Sequence, residues 1–122
     1  ISNPDVGRYD SYATFTVNGV PKKCAMLIYA KRPYDTGSFV NYIEIGFIPY
    51  DDNMKPVQED GATVIYSYDD IDDFFDKVGH NTMYVINPEE ILADNFVIAF
   101  NNSSPVDTPA LRDSIRALMT GE

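Results

Sequence analysis

From Ser38 to Tyr50 the chain runs Ser-Phe-Val-Asn-Tyr-Ile-Glu-Ile-Gly-Phe-Ile-Pro-Tyr. Phe39, Ile43, Ile45 and Phe47 fall on one side of an extended backbone, and Tyr42, Glu44 and Gly46 on the other. The β-branched and aromatic residues that dominate the stretch suit a pleated, half-buried surface, so it reads as the longest strand. Pro49 has no amide hydrogen to donate and ends it. Residues 12–17 alternate in the same way, with Ala13, Phe15 and Val17 opposed to Tyr12, Thr14 and Thr16. Asn18-Gly19 follows at once, and that pair suits the two positive-φ positions of a tight hairpin turn. The partner strand, about 23–31, is apolar on both faces: Cys24, Met26 and Ile28 oppose Ala25, Leu27 and Tyr29. A strand of that kind is central and covered on both sides. Residues 62–68, 82–86 and 95–100 complete a set of six predicted strands, and the polar run 51–61 reads as an exposed excursion.

Helical spacing appears twice. Ile71, Phe74, Phe75 and Val78 form one apolar stripe at spacings of three, four and seven, predicting a helix over 69–79 capped by Asp69 or Asp70 and stopped at Gly79. Asp107-Thr108-Pro109 is a cap-then-proline start for a second helix over 108–120, with Leu111, Ile115, Leu118 and Met119 as its buried stripe. Asn87-Pro88 predicts only one short helical turn. These elements describe an α+β fold: a mainly antiparallel sheet of about six strands with the two main helices packed on one face. Strands flanking the 69–79 helix leave a parallel crossover open as an alternative. Residues 1–8, with Asn3-Pro4-Asp5 and Gly7, read as a flexible lead-in, and 9–122 as a single domain.

Composition narrows the classes. At 122 residues, 44% of them hydrophobic, the chain is long and apolar enough to close a core without disulfides or a metal. No apolar run approaches the roughly 20 residues of a membrane span, and the first residues have no signal-peptide pattern. Position 1 is Ile and not Met, which predicts that something upstream was removed. Cys24, the only cysteine, excludes an internal disulfide and a cysteine-rich metal site, and its apolar neighbours mark it as a small buried hydrophobe.

Charge is unevenly placed within the net of −10. Residues 1–34 carry Arg8, Lys22, Lys23, Lys31 and Arg32 against Asp5 and Asp10, whereas residues 35–107 carry fifteen acids against Lys55 and Lys77. Such a field disfavours direct binding to nucleic acid or to an anionic membrane. It favours a cation or a protein partner with a basic surface.

The most distinctive cluster is Tyr68-Asp69-Asp70-Ile71-Asp72-Asp73-Phe74-Phe75-Asp76. On a helix Asp69, Asp72, Asp73 and Asp76 gather opposite Phe74 and Phe75, giving an acidic face that capping and solvation explain or that a basic partner or a divalent ion reads. Nine tyrosines and no tryptophan are the other unusual feature, and Tyr42, Tyr66 and Tyr68 stand out as contact candidates on predicted strands. His80, the sole histidine, excludes a two-histidine zinc site, and the Asp51-Asp52-Asn53 run lacks the glycine and closing glutamate of a calcium loop. No nucleophile elbow, metalloprotease or phosphate-loop motif occurs. Neither a catalytic residue, a metal nor a cofactor is assigned. The leading expectation is a non-catalytic acidic domain that recognises a protein through a tyrosine-bearing sheet and an acidic helix face. The alternatives are a small ligand-binding or hydrolytic α+β domain with a sheet–helix pocket, and an acidic mimic of nucleic acid.

Overall fold

The structure is a computed structural model and describes residues 11–101 and 106–122. The predicted lead-in at 1–8 and most of the predicted loop at 101–105 lie outside the described residues. The fold is α+β, with an antiparallel sheet of four strands, a separate two-stranded hairpin and three helices. The chain divides into two compact units, Ile1–Asp72 and Asp73–Glu122.

In the first unit β1 (Tyr12–Val17), β2 (Val20–Ala30), β3 (Ile43–Pro49) and β6 (Tyr66–Ser67) lie in the order β1-β2-β3-β6, every pair antiparallel. Asn18 and Gly19 carry the positive φ values, 47° and 80°, that bring Val17 opposite Val20. Phe15 and Phe47 meet edge to face at 5.1 Å, and with Val17, Cys24 and Met26 they form the buried centre. β3 begins at Ile43 and not at Ser38, because Phe39–Asn41 forms a 3-10 turn in which the Tyr42 amide returns to the Phe39 carbonyl. The excursion 51–61 is exposed save Val57 and contains β4 (Gln58–Glu59), which pairs with β5 (Ala62–Thr63).

The predicted helix over 69–79 is corrected. Tyr68–Asp70 is a 3-10 turn, Ile71 is extended and bridges to Val17, and α1 spans only Phe74–Val78. Two backbone hydrogen bonds outbid helix continuation here: the Asn18 amide donates to the Asp70 carbonyl at 3.0 Å and the Asp72 amide to the Thr16 carbonyl at 2.8 Å. Pairing therefore runs from β1 through β2 and β3 to β6, and returns to the outer edge of β1 through residues 70–72. This strap covers part of an edge that would otherwise expose unpaired backbone groups.

In the second unit α2 (Pro88–Phe100) and α3 (Pro109–Thr120) follow α1. Residues 95–100, predicted as a strand, are the second half of α2. Asn87 accepts the Glu90 amide at 2.9 Å, Pro88 opens the first turn, and Ile91, Asn95 and Ala99 form a buried stripe at spacing four, so the helix extends well beyond one turn. Residues 82–86 are not a strand. The Thr82 hydroxyl donates to Asp94 at 2.6 Å and accepts the Tyr84 amide at 3.0 Å, closing a local turn in place of a ladder. In α3, Leu118 and Met119 of the predicted buried stripe are exposed.

Candidate functional site

Residues that pair across strands share a face, so the register assigns every side chain of the sheet. Phe15, Cys24, Met26 and Phe47 lie inward, and Tyr66, opposite Phe47, lies on that same side. The other face carries Tyr12, Lys23, Leu27, Tyr29, Glu44 and Gly46. There Lys23 Nζ sits 4.2 Å from the centroid of the Tyr12 ring, and the Tyr29 hydroxyl donates to Glu44 Oε2 at 3.0 Å. Lys31 forms an ion pair with the same carboxylate. A Cβ on Gly46 would stand 2.6 Å from Ile65 and 2.9 Å from Tyr29, so those two side chains lie directly on the strand backbone. Tyr12, at 48% exposure, and half-buried Tyr29 leave this face amphipathic and partly open to solvent.

The face ends in the loop 31–42, which joins β2 to β3. Its base is set by Tyr42, only 2% exposed. The Tyr42 hydroxyl accepts the Thr36 amide at 3.1 Å and offers its proton to the Asp35 carboxylate and the Thr36 carbonyl. Arg32 lies 4.2 Å over the Tyr42 ring and reaches Asp35 at 3.0 Å. Hydrogen bonds from the Tyr42 hydroxyl and then from the Thr36 amide hold the Asp35 carboxyl below its ordinary range. Tyr34 packs its ring 5.0 Å from that of Tyr42, and its hydroxyl donates to the Gly37 carbonyl at 3.1 Å. Gly37 has φ 102°, a conformation closed to most side chains. On this fixed base Tyr34, Phe39 and Val40 are displayed at 60%, 55% and 70% exposure.

The residues singled out in the sequence are distributed differently. Tyr42 is interior and anchors the loop. Tyr66 faces the core side with Lys22 Nζ 5.8 Å from its ring, and Tyr68 is half-buried, its hydroxyl pushed up by burial and then by the charge of Asp69. Asp69 is exposed on the 3-10 turn, and Asp72 is exposed but accepts the Gly19 amide at 2.7 Å. Asp73 stands at the start of α1 and pairs with Lys77 at 3.6 Å, while Asp76 is exposed one turn on. Asp70, left out of the predicted face, accepts the Ser67 amide and hydroxyl, both at 2.8 Å, and the Asn18 side-chain amide at 3.3 Å. The helical face thus divides between a strap in the first unit and a short helix in the second.

Tyr12, Tyr29 and Tyr34 were missed as site residues. Alternation places Tyr12 and Tyr29 on strands but does not say which face remains open, and Tyr34 has no periodicity to mark it. Among the described residues no group of three or more His, Cys, Asp or Glu side chains is arranged to hold a metal ion, and no helix is long and apolar enough to cross a membrane. Comparison with family models, with curated proteins and with solved structures gave no match.

Proposed function

We propose that this chain is a non-catalytic binding domain that recognises a protein partner, with residues 9–122 acting as one α+β domain. The display of Tyr34, Phe39 and Val40 on a loop whose base is fixed by buried Tyr42 carries this reading. Aromatic side chains give large contact area for few rotatable bonds, and a loop fixed before binding loses little further entropy when it docks. The adjoining sheet face adds Tyr12 and Tyr29, with Lys23, Lys31 and Glu44 as a polar rim. The net charge of −10 selects a partner of basic surface and speeds encounter without deciding affinity. Exposed Asp69 and Asp76 contribute to that field.

The test is affinity capture from the native extract with the wild-type chain and with Tyr34→Ala/Phe39→Ser, after circular dichroism has shown that the variant is folded. The wild type should retain a partner that the variant loses, and retention should weaken from low to physiological ionic strength. Equal capture by the variant would remove the loop from the reading, and salt-independent capture would remove the charge.

A further inference from the structure

Asn18-Gly19 joins β1 to β2, both residues are exposed, and a Cβ built on Gly19 meets nothing within 4 Å. An asparagine followed by glycine is the dipeptide most open to cyclisation, because no side chain hinders approach of the glycine nitrogen. In that reaction the Gly19 nitrogen loses its proton and bonds to the Asn18 side-chain carbonyl carbon. The bond from that carbon to Nδ2 breaks, and Nδ2 departs as ammonia with the proton. Water then opens the five-membered succinimide at either carbonyl, leaving aspartate or isoaspartate at position 18. Amide and water become acid and ammonia, and no oxidant or reductant is needed.

Both nitrogens involved are held by the strap. The Gly19 amide donates to Asp72 Oδ2 at 2.7 Å, and Asn18 Nδ2 donates to Asp70 Oδ1 at 3.3 Å. A carboxylate that accepts an N–H bond opposes loss of that proton, since the nitrogen anion would face a like charge. We infer that Asn18 is a site of spontaneous succinimide chemistry, which the strap suppresses by holding the Gly19 amide with Asp72. Conversion reverses the other side-chain contact between turn and strap. An acceptor carboxylate replaces the Nδ2 donor opposite Asp70, and isoaspartate inserts one more main-chain atom into a two-residue turn whose register is Val17 opposite Val20. The bridge from Val17 to Ile71 then loses its neighbour on the turn side, the Asn18 amide on the Asp70 carbonyl. The turn is a one-way switch: slow while the strap is closed, and opening the strap once it has fired.

The test uses the full chain at neutral pH, with conversion at Asn18 followed by peptide mapping, mass spectrometry and isoaspartate methylation. Asp72→Asn, which keeps the side chain's shape and removes its charge, should raise the rate on the order of tenfold, the loss expected for a charge-assisted hydrogen bond. Asp69→Ala should leave it unchanged. Wild type in concentrated urea should convert at least as fast as Asp72→Asn. Equal rates for folded and urea-unfolded wild type would overturn the protection whether or not any variant folds, and an unchanged rate in folded Asp72→Asn would overturn the role of Asp72. Asn18→Asp, made directly, should melt below wild type, and an equal melting midpoint would overturn the switch.

Discussion

At the scale of single residues the first unit is governed by what lies against its strand backbones. Gly46 has room for nothing larger, because Ile65 and Tyr29 occupy the space a Cβ would need. Gly46→Ala is therefore expected to destabilise by about 1–3 kcal/mol in urea unfolding, the usual range for overpacking, and to displace Tyr29 from Glu44. Phe47, with no exposed surface and its ring against Phe15, is the opposite case. Phe47→Ala should cost about 3–5 kcal/mol through lost transfer energy and the cavity it leaves. Cys24 is fully buried, and burial pushes its thiol up to about 11, with Lys22 opposing more weakly. Thiolate is the reactive form, so maleimide labelling at neutral pH should be slow in the folded chain and complete once urea is added. Its burial was legible from the apolar run around it. The role of Tyr42 was not, since alternation placed it on a strand and could not show a hydroxyl gathered by Asp35 and Thr36.

At the scale of elements, periodicity succeeded where one interaction dominated and failed where two competed. β1, its Asn-Gly turn and the start of α3 were legible because alternation, turn chemistry and cap signals agree there. The segment 69–79 was misread because its apolar spacing is helical, whereas backbone partners on β1 hold Ile71 extended. Those partners are over 50 residues away, beyond any local pattern. Within the strap, the Ser67 amide, the Ser67 hydroxyl and Asn18 hold the Asp70 carboxyl below its ordinary range. A depressed folded value contributes stability that is present above the unfolded value, about 4, and is lost as pH falls through the lower folded value. The thermal midpoint should accordingly drop on acidification below about pH 4, and Asp70→Asn should lower it at neutral pH and flatten that acid limb. In the second unit the Asn87 cap sets the start of α2, and the buried stripe Ile91, Asn95 and Ala99 carries it past the predicted single turn. Asn87→Ala should cost about 1 kcal/mol, read as a lower urea midpoint with unchanged slope.

For the molecule as a whole, nineteen acids against nine bases leave a net self-repulsion. Raising salt from low to about 0.5 M shortens the screening distance to a few ångströms and is expected to raise the thermal midpoint. A midpoint that falls would mean that ion pairs such as Lys31–Glu44 and Arg32–Asp35 outweigh that repulsion. The α+β class was legible because early hairpins and a late helix differ so plainly in period. The division of the acidic cluster between two units was not, because composition records charge and not which backbone amide each carboxylate meets.

The strap also has a kinetic consequence. Gly19 and Asp72 are 53 residues apart, whereas the β1–β2 turn joins immediate neighbours, so the entropy of loop closure is expected to make the return to β1 a late event in folding. Interactions absent from the rate-limiting barrier govern escape from the native state and not arrival at it. Weakening residues 70–72 should therefore steepen nothing in the refolding arm of a chevron and shorten the lifetime of the native protein.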